Sequence, residues 1–73
     1  MLRCLIVDDN ASFLEAASTL LEREGLAVAG VASTGDEGLQ RANELEPDVV
    51  LLDVSLGAES GLDVARRLAE NGE

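Results

Sequence analysis

The chain has 73 residues, 47% of them hydrophobic, which makes it at most one domain and too apolar to stay disordered. Fifteen acidic residues against five arginines give a formal charge of −10, which argues against nucleic-acid binding through this segment, since phosphate contacts need clustered basic side chains. Lysine and histidine are both absent, so imidazole metal ligands, histidine general bases and the triads built on them are excluded, and any catalysis must rest on carboxylates. No apolar stretch approaches the roughly 20 residues of a membrane span, and the start lacks the layout of a signal peptide. The single cysteine, Cys4, lies in an apolar run and reads as a free buried thiol, so the expectation is a soluble, cytoplasmic chain without crosslinks. A chain this short buries only roughly 60% of the surface its unfolded form exposes, so its core is marginal without help from a partner or ligand.

Leu2 to Val7 form a nearly continuous apolar run that stops at Asp8-Asp9-Asn10, the pattern of a strand buried on both faces. Helical spacing follows, with Phe13, Leu14, Ala17, Leu20 and Leu21 on the inner face, Ser12 and Glu15 as a capping box and Gly25 as the stop. Leu26 to Ala32 reads as a second strand. Thr34 and Glu37 make another capping box, and Leu39, Ala42 and Leu45 mark the buried face of a second helix ended by Pro47. Val49 to Leu52 is a third strand that again stops at a carboxylate, Asp53. Ser60 and Asp63 then open a third helix whose inner stripe is Leu62, Ala65 and Leu68. Ser33, Thr34 and Ser60 read as caps rather than catalytic hydroxyls, and Arg66-Arg67 as solvated helix surface. The β-α-β-α-β-α order implies an α/β fold with a parallel sheet, right-handed crossovers and helices on both faces.

Because the strands run parallel, the acids ending strands one and three leave the same edge of the sheet. A central strand one, as in the 2-1-3 part of the flavodoxin-like doubly wound order, brings Asp8, Asp9 and Asp53 together at the topological switch point. Strands only about 4.8 Å apart leave such carboxylates within a few ångströms of one another. Their repulsion raises at least one pKa unless a counter-charge relieves it. Mg2+ suits the site, since it is held by one or two carboxylates with waters and a phosphoryl oxygen completing the octahedron. Each acid taken singly reads as a solvated turn residue or a helix cap. The three together favour a metal or phosphate site.

Leu5-Ile-Val-Asp-Asp-Asn10 is similar to the first strand and acidic pair of response-regulator receiver domains of two-component signalling systems. Pro47-Asp-Val-Val-Leu-Leu-Asp53 resembles their phosphoacceptor strand, and Gly61 falls where receivers carry a glycine eight residues past the acceptor. The resemblance runs from Leu2 to about Leu68. It implies that Asp53 is the phosphoacceptor nucleophile, that Asp8 and Asp9 hold Mg2+ together with Asp53, one of the pair through water, and that the backbone carbonyl of Ser55 is a further ligand. The implied donor is a phosphohistidine on a sensor histidine kinase or phosphotransfer protein. The implied role is that of an acceptor, not an enzyme, with any catalysis limited to its own phosphorylation and dephosphorylation.

Receivers have five strands, with a Ser or Thr after the fourth and a Lys after the fifth. By the resemblance, residues 1–73 are then the N-terminal part of a single receiver domain, a partial flavodoxin-like sheet whose remainder lies outside this chain. At Leu56-Gly57 receivers usually have an apolar residue followed by proline, and the glycine loosens this loop. A helix-turn-helix DNA-binding output domain elsewhere in the protein, and so a role in transcription, fits the same resemblance. With no fourth strand in the chain, the outer edge of strand three is expected to be open and able to pair with a second copy.

Two other readings compete. A receiver-like interaction module working without phosphorylation is permitted by the missing lysine and disfavoured by the presence of all three acids. A small α/β enzyme fares worse. Dinucleotide binding needs Gly-x-Gly-x-x-Gly after strand one, where this chain has Val7-Asp-Asp-Asn-Ala-Ser12. Phosphatases of the haloacid-dehalogenase type carry Asp-x-Asp, which neither Asp8-Asp9 nor Asp53-Val-Ser55 supplies.

Overall fold

The apolar runs become short strands and the periodic segments become helices, in the order expected. The computed structural model describes residues 1–53 and 61–72, with elements β1 (Arg3–Val7), α1 (Ala11–Arg23), β2 (Ala27–Ala32), α2 (Gly35–Leu45), β3 (Val49–Leu52) and α3 (Gly61–Gly72). The sheet is parallel with strand order β2-β1-β3, the partial flavodoxin-like arrangement. The first two strands each begin one residue later than the apolar runs suggest. No helix among the described residues is long and apolar enough to cross a membrane.

β1 pairs on both sides, which is why Cys4, Leu5, Ile6 and Val7 are all buried. Alternation along the strands then sorts the side chains by face. Leu5 and Val7 join Ala32 and Val64 in a core cluster, with Ala42, Val50, Leu52 and Leu68 packed against it. That is the face covered by α2 and α3. Among the described residues the opposite face is covered by α1 alone, and none of the residues of α1 is buried.

The pairing of β1 with β2 slips by one residue, Cys4 facing Val28 and Leu5 facing Gly30, so that Ala29 is left without a partner. A Cβ on Gly30 would lie 2.8 Å from Leu45 Cδ1, so the missing side chain lets α2 close onto β2. Gly25 ends α1 with φ 92°, a backbone conformation that L side chains rarely adopt.

Three local expectations need correction. The cap of α1 is Asn10, whose side chain accepts from the Phe13 N–H at 3.0 Å, and not Ser12. Asn10 is extended and its own N–H donates to Asp8 Oδ1 at 2.9 Å, so the helix starts immediately after the acidic pair. Phe13 and Leu20, expected inside, are 51% and 57% exposed. In α3 the inward stripe runs through Val64 and Leu68, one turn apart, while Ala65 is exposed. The side chains of Ser60, Leu62 and Asp63 lie outside the described part. The second capping box forms with one change of partner. Thr34 Oγ1 accepts from the Glu37 N–H at 3.1 Å, and Glu37 Oε1 accepts from the N–H of Ser33 at 2.7 Å instead of that of Thr34.

Candidate functional site

β1 and β3 are hydrogen-bonded neighbours, Val7 beside Leu52, and each is followed directly by an aspartate. The ladder continues past the strand ends: the Asp53 N–H donates to the Val7 carbonyl at 3.0 Å, and the Asp8 N–H to the Ala32 carbonyl at 3.0 Å. Main-chain bonds thus pin Asp53 to β1 and Asp8 to β2. Asp8 and Asp53 are partly buried and Asp9 is exposed. One carboxylate oxygen from each of the three lies within 4.8 Å of the others. The structure therefore brings together Asp8, Asp9 and Asp53, as the sequence anticipated. Ser55, the fourth residue of the expected set, lies outside the described residues.

Oxygens bound to one Mg2+ at about 2.0–2.1 Å are at most roughly 4.2 Å apart. A trio bounded by 4.8 Å matches that scale, with room for one carboxylate to reach the ion through water. The all-oxygen, anionic donor set suits a hard divalent cation and not a soft one. Asp8 has one oxygen engaged by the Asn10 N–H, which fixes the rotamer of its carboxylate.

A cavity of about 450 Å³ opens beside the cluster, lined by Ile6, Val7, Asp8, Phe13, Leu51, Leu52 and Asp53. The exposure of Phe13 and Leu51, 51% and 42%, is the wall of this cavity. Sequence reading missed both Asn10 and this wall. The Asp-Asp-Asn run after a buried strand was the signal available for the cap. Nothing in the periodicity signals which apolar positions stay uncovered. Cys4, at 0% exposure, is set apart from this chemistry, and burial pushes its thiol pKa up.

A parallel α/β sheet with three aspartates gathered beyond the carboxyl ends of β1 and β3 has the architecture of the receiver class of signalling modules. Comparison with known proteins makes the assignment specific: the sequence profile of the response regulator receiver domain matches residues 4–73, and the chain belongs to that family. It is 42% identical over 69 residues to the response regulator GacA of Pseudomonas viridiflava, a match covering 93% of this chain and 32% of that protein. Among solved structures it is similar to the signal receiver domain of a modulated diguanylate cyclase from Desulfovibrio desulfuricans G20, with TM-score 0.88, 37% identity, and coverage of 96% of this chain and 57% of that one. A LuxR-family two-component response regulator from Aurantimonas sp. SI85-9A1 gives TM-score 0.91 and 30% identity, covering 96% and 51%. The chain thus spans about a third of the curated relative and about half of the two solved chains.

Proposed function

We propose that this chain is the N-terminal part of a single receiver domain in which Asp53 accepts a phosphoryl group, with Mg2+ held by Asp8, Asp9 and Asp53, from a phosphohistidine on a sensor histidine kinase or phosphotransfer protein. The observation that carries the reading is the gathering of three carboxylates within 4.8 Å at the edge where a lone aspartate ends β3. An Asp53 carboxylate oxygen forms the new O–P bond as the P–N bond of the donor breaks, and the donor imidazole keeps the electron pair. A carboxylate nucleophile needs no general base. The main-chain bond of Asp53 to Val7 holds the attacking group in place, and phosphoryl transfer asks for positioning and charge neutralisation above all. Asp8 and Asp9 hold the cation, one of them through water. Bound there, Mg2+ neutralises charge on the transferring phosphoryl oxygens. The backbone carbonyl of Ser55 completes the set that the family resemblance implies. The chain acts as an acceptor, and the acyl phosphate it carries is a labile switch for an output domain elsewhere in the protein. A DNA-binding output fits the family resemblance, and a cytoplasmic location fits a phosphohistidine donor.

In the full-length protein, a small phosphodonor with Mg2+ labels Asp53 alone, as read by mass spectrometry after borohydride trapping, and Asp53→Asn takes up no label. Label on Asp48 or Asp63, or undiminished labelling of Asp53→Asn, overturns the assignment. If beryllofluoride leaves the protein's spectrum unchanged, the reading as an interaction module independent of phosphorylation takes its place.

The outer edge of β3 has no strand beside it among the described residues. An apolar edge without a partner is a template for association, and we place a second copy of this chain there, pairing Val49–Leu52 edge to edge about a two-fold axis. Light scattering on the 73-residue chain is expected to give a dimer. A well-dispersed monomer at high micromolar concentration excludes the pairing.

A further inference from the structure

We infer that Asn10 is a positioning residue for Asp8: its side chain caps α1 while its backbone N–H holds the Asp8 carboxylate, so that the acidic site and the first turn of α1 order together. The inference rests on the metal site proposed above for the task the Asp8 carboxylate performs. Asn10 Oδ1 accepts from the Phe13 N–H at 3.0 Å, and the Asn10 carbonyl accepts from the Leu14 N–H at 3.0 Å. The Asn10 N–H donates to Asp8 Oδ1 at 2.9 Å. One residue, with φ −100° and ψ 108°, thus turns its backbone donor to the site and both its side-chain and backbone acceptors to the helix.

The two helix starts differ in where their carboxylate comes from. α2 carries Asp36 and Glu37 in its first turn, and Glu37 turns back to accept from the Ser33 N–H. α1 has no acid in its first turn, and the position three past its cap is Phe13, which has no side-chain acceptor. Asp8 supplies from upstream what Glu37 supplies to α2 from within, and a negative charge beside a helix N-terminus is favourable. Packing does not replace this tie, since no residue of α1 is buried and Phe13 is 51% exposed. A helix of 13 residues is marginal on its own in water, so its first turn depends on the cap. The dependence runs the other way as well. Without the bond to Phe13 the backbone of residue 10 is free to turn, and its N–H no longer aims at Asp8. A carboxylate offers about four acceptor positions, so the bond to Asn10 leaves Asp8 able to take a cation at the same time. Asp8 and Phe13 both line the cavity beside the cluster, which puts the capped turn at the wall of the site.

The test uses the full-length protein and four variants. Asn10→Ala removes the cap, and Asn10→Ser keeps a capping oxygen. Asp8→Ala removes the acceptor, and Asp8→Asn keeps Oδ1 without the charge. In metal-free protein the side-chain carboxyl carbon resonance of Asp8 should move in Asn10→Ala and return in Asn10→Ser. Coupling is reciprocal, so Asp8→Ala should speed hydrogen exchange at the amides of Phe13 and Leu14, which Asp8 does not touch. The expected change is about fivefold, the scale of one helix cap, measured against the last turn of α1, and Asp8→Asn should keep most of the protection. Mg2+ affinity should fall about two- to fivefold in Asn10→Ala, no more than the cap itself supplies, and recover in Asn10→Ser. A merely structural cap would lower the melting temperature of Asn10→Ala while the Asp8 resonance and the Mg2+ affinity stay at the wild-type values, and that result overturns the proposal. So does exchange at Phe13 and Leu14 that ignores Asp8→Ala, or that rises equally in Asp8→Asn, which would trace the effect to charge alone. If the wild type binds no Mg2+ while the metal-free coupling is intact, the metal site is withdrawn and the hold of Asn10 on Asp8 stands.

Discussion

The two faces of the sheet are built from similar residues and end up in different states. On the α2 and α3 face, Leu5, Val7, Ala32 and Val64 close into a cluster with every member at or below 2% exposure. On the α1 face the strands contribute Cys4 and Ile6, equally buried, yet α1 buries no residue fully, and Leu51 on β3 is 42% exposed. Among the described residues, the same apolar pattern thus gives a finished core where two helices share a face and an open cavity where α1 alone covers the other. Burial, and hence stability, follows the number of layers that meet.

The sharpest way to break this comparison is to truncate a leucine on each face. Leu5→Ala removes a side chain fully inside the closed cluster and is expected to cost about 2–5 kcal/mol, enough to unfold much of so small a chain. Leu20→Ala removes one that is already more than half exposed, and the expected cost is below about 1 kcal/mol. Urea denaturation of both variants decides it. Equal losses would mean that something covers the α1 face in solution.

A smaller effect sharpens the picture at the start of α2. The Ser33 N–H holds the Glu37 carboxylate below the usual glutamate pKa, with further help from the Ser33 hydroxyl and Arg41. A lowered folded-state pKa means that the cap stabilises the protein above the unfolded value of about 4.3 and that this contribution is lost as pH falls through the folded value. Thermal melts between neutral pH and pH 3 should show Glu37→Gln losing less stability on acidification than the wild type. Parallel curves would show that the cap carries no proton-linked stability.

The strand ends, their order and the meeting of Asp8, Asp9 and Asp53 were legible because buried parallel strands leave a coarse signature, an apolar run cut off by acids, and because short right-handed connections leave few topologies. Details set by tertiary contact were not. Ser12 with Glu15 and Asn10 both satisfy the chemistry of a helix cap, and the choice falls to Asn10 because its N–H is already turned to Asp8 Oδ1. In α3, periodicity alone favoured Ala65, while the β-branched Val64 is the residue that reaches Leu5 and Val7. Phe13 and Leu20 sit on the apolar side of α1 as read. An apolar stripe identifies the face that could be buried, and only the packed molecule says whether anything meets it.

The slip in pairing between β1 and β2 gives the sheet a joint where chain length is decoupled from alignment. Residues on either side of Ala29 keep their partners on β1, Val28 with Cys4 and Gly30 with Leu5, so the spare residue belongs to neither half of the ladder. Removing it would leave all five pairs in place and would convert an irregular strand into a regular one. Elsewhere in β2 the loss of one residue would turn every later side chain to the opposite face and carry Ala32 out of the core. Tolerance to insertion and deletion, usually a property of surface loops, here has a foothold inside a strand, three residues upstream of the carbonyl that holds Asp8.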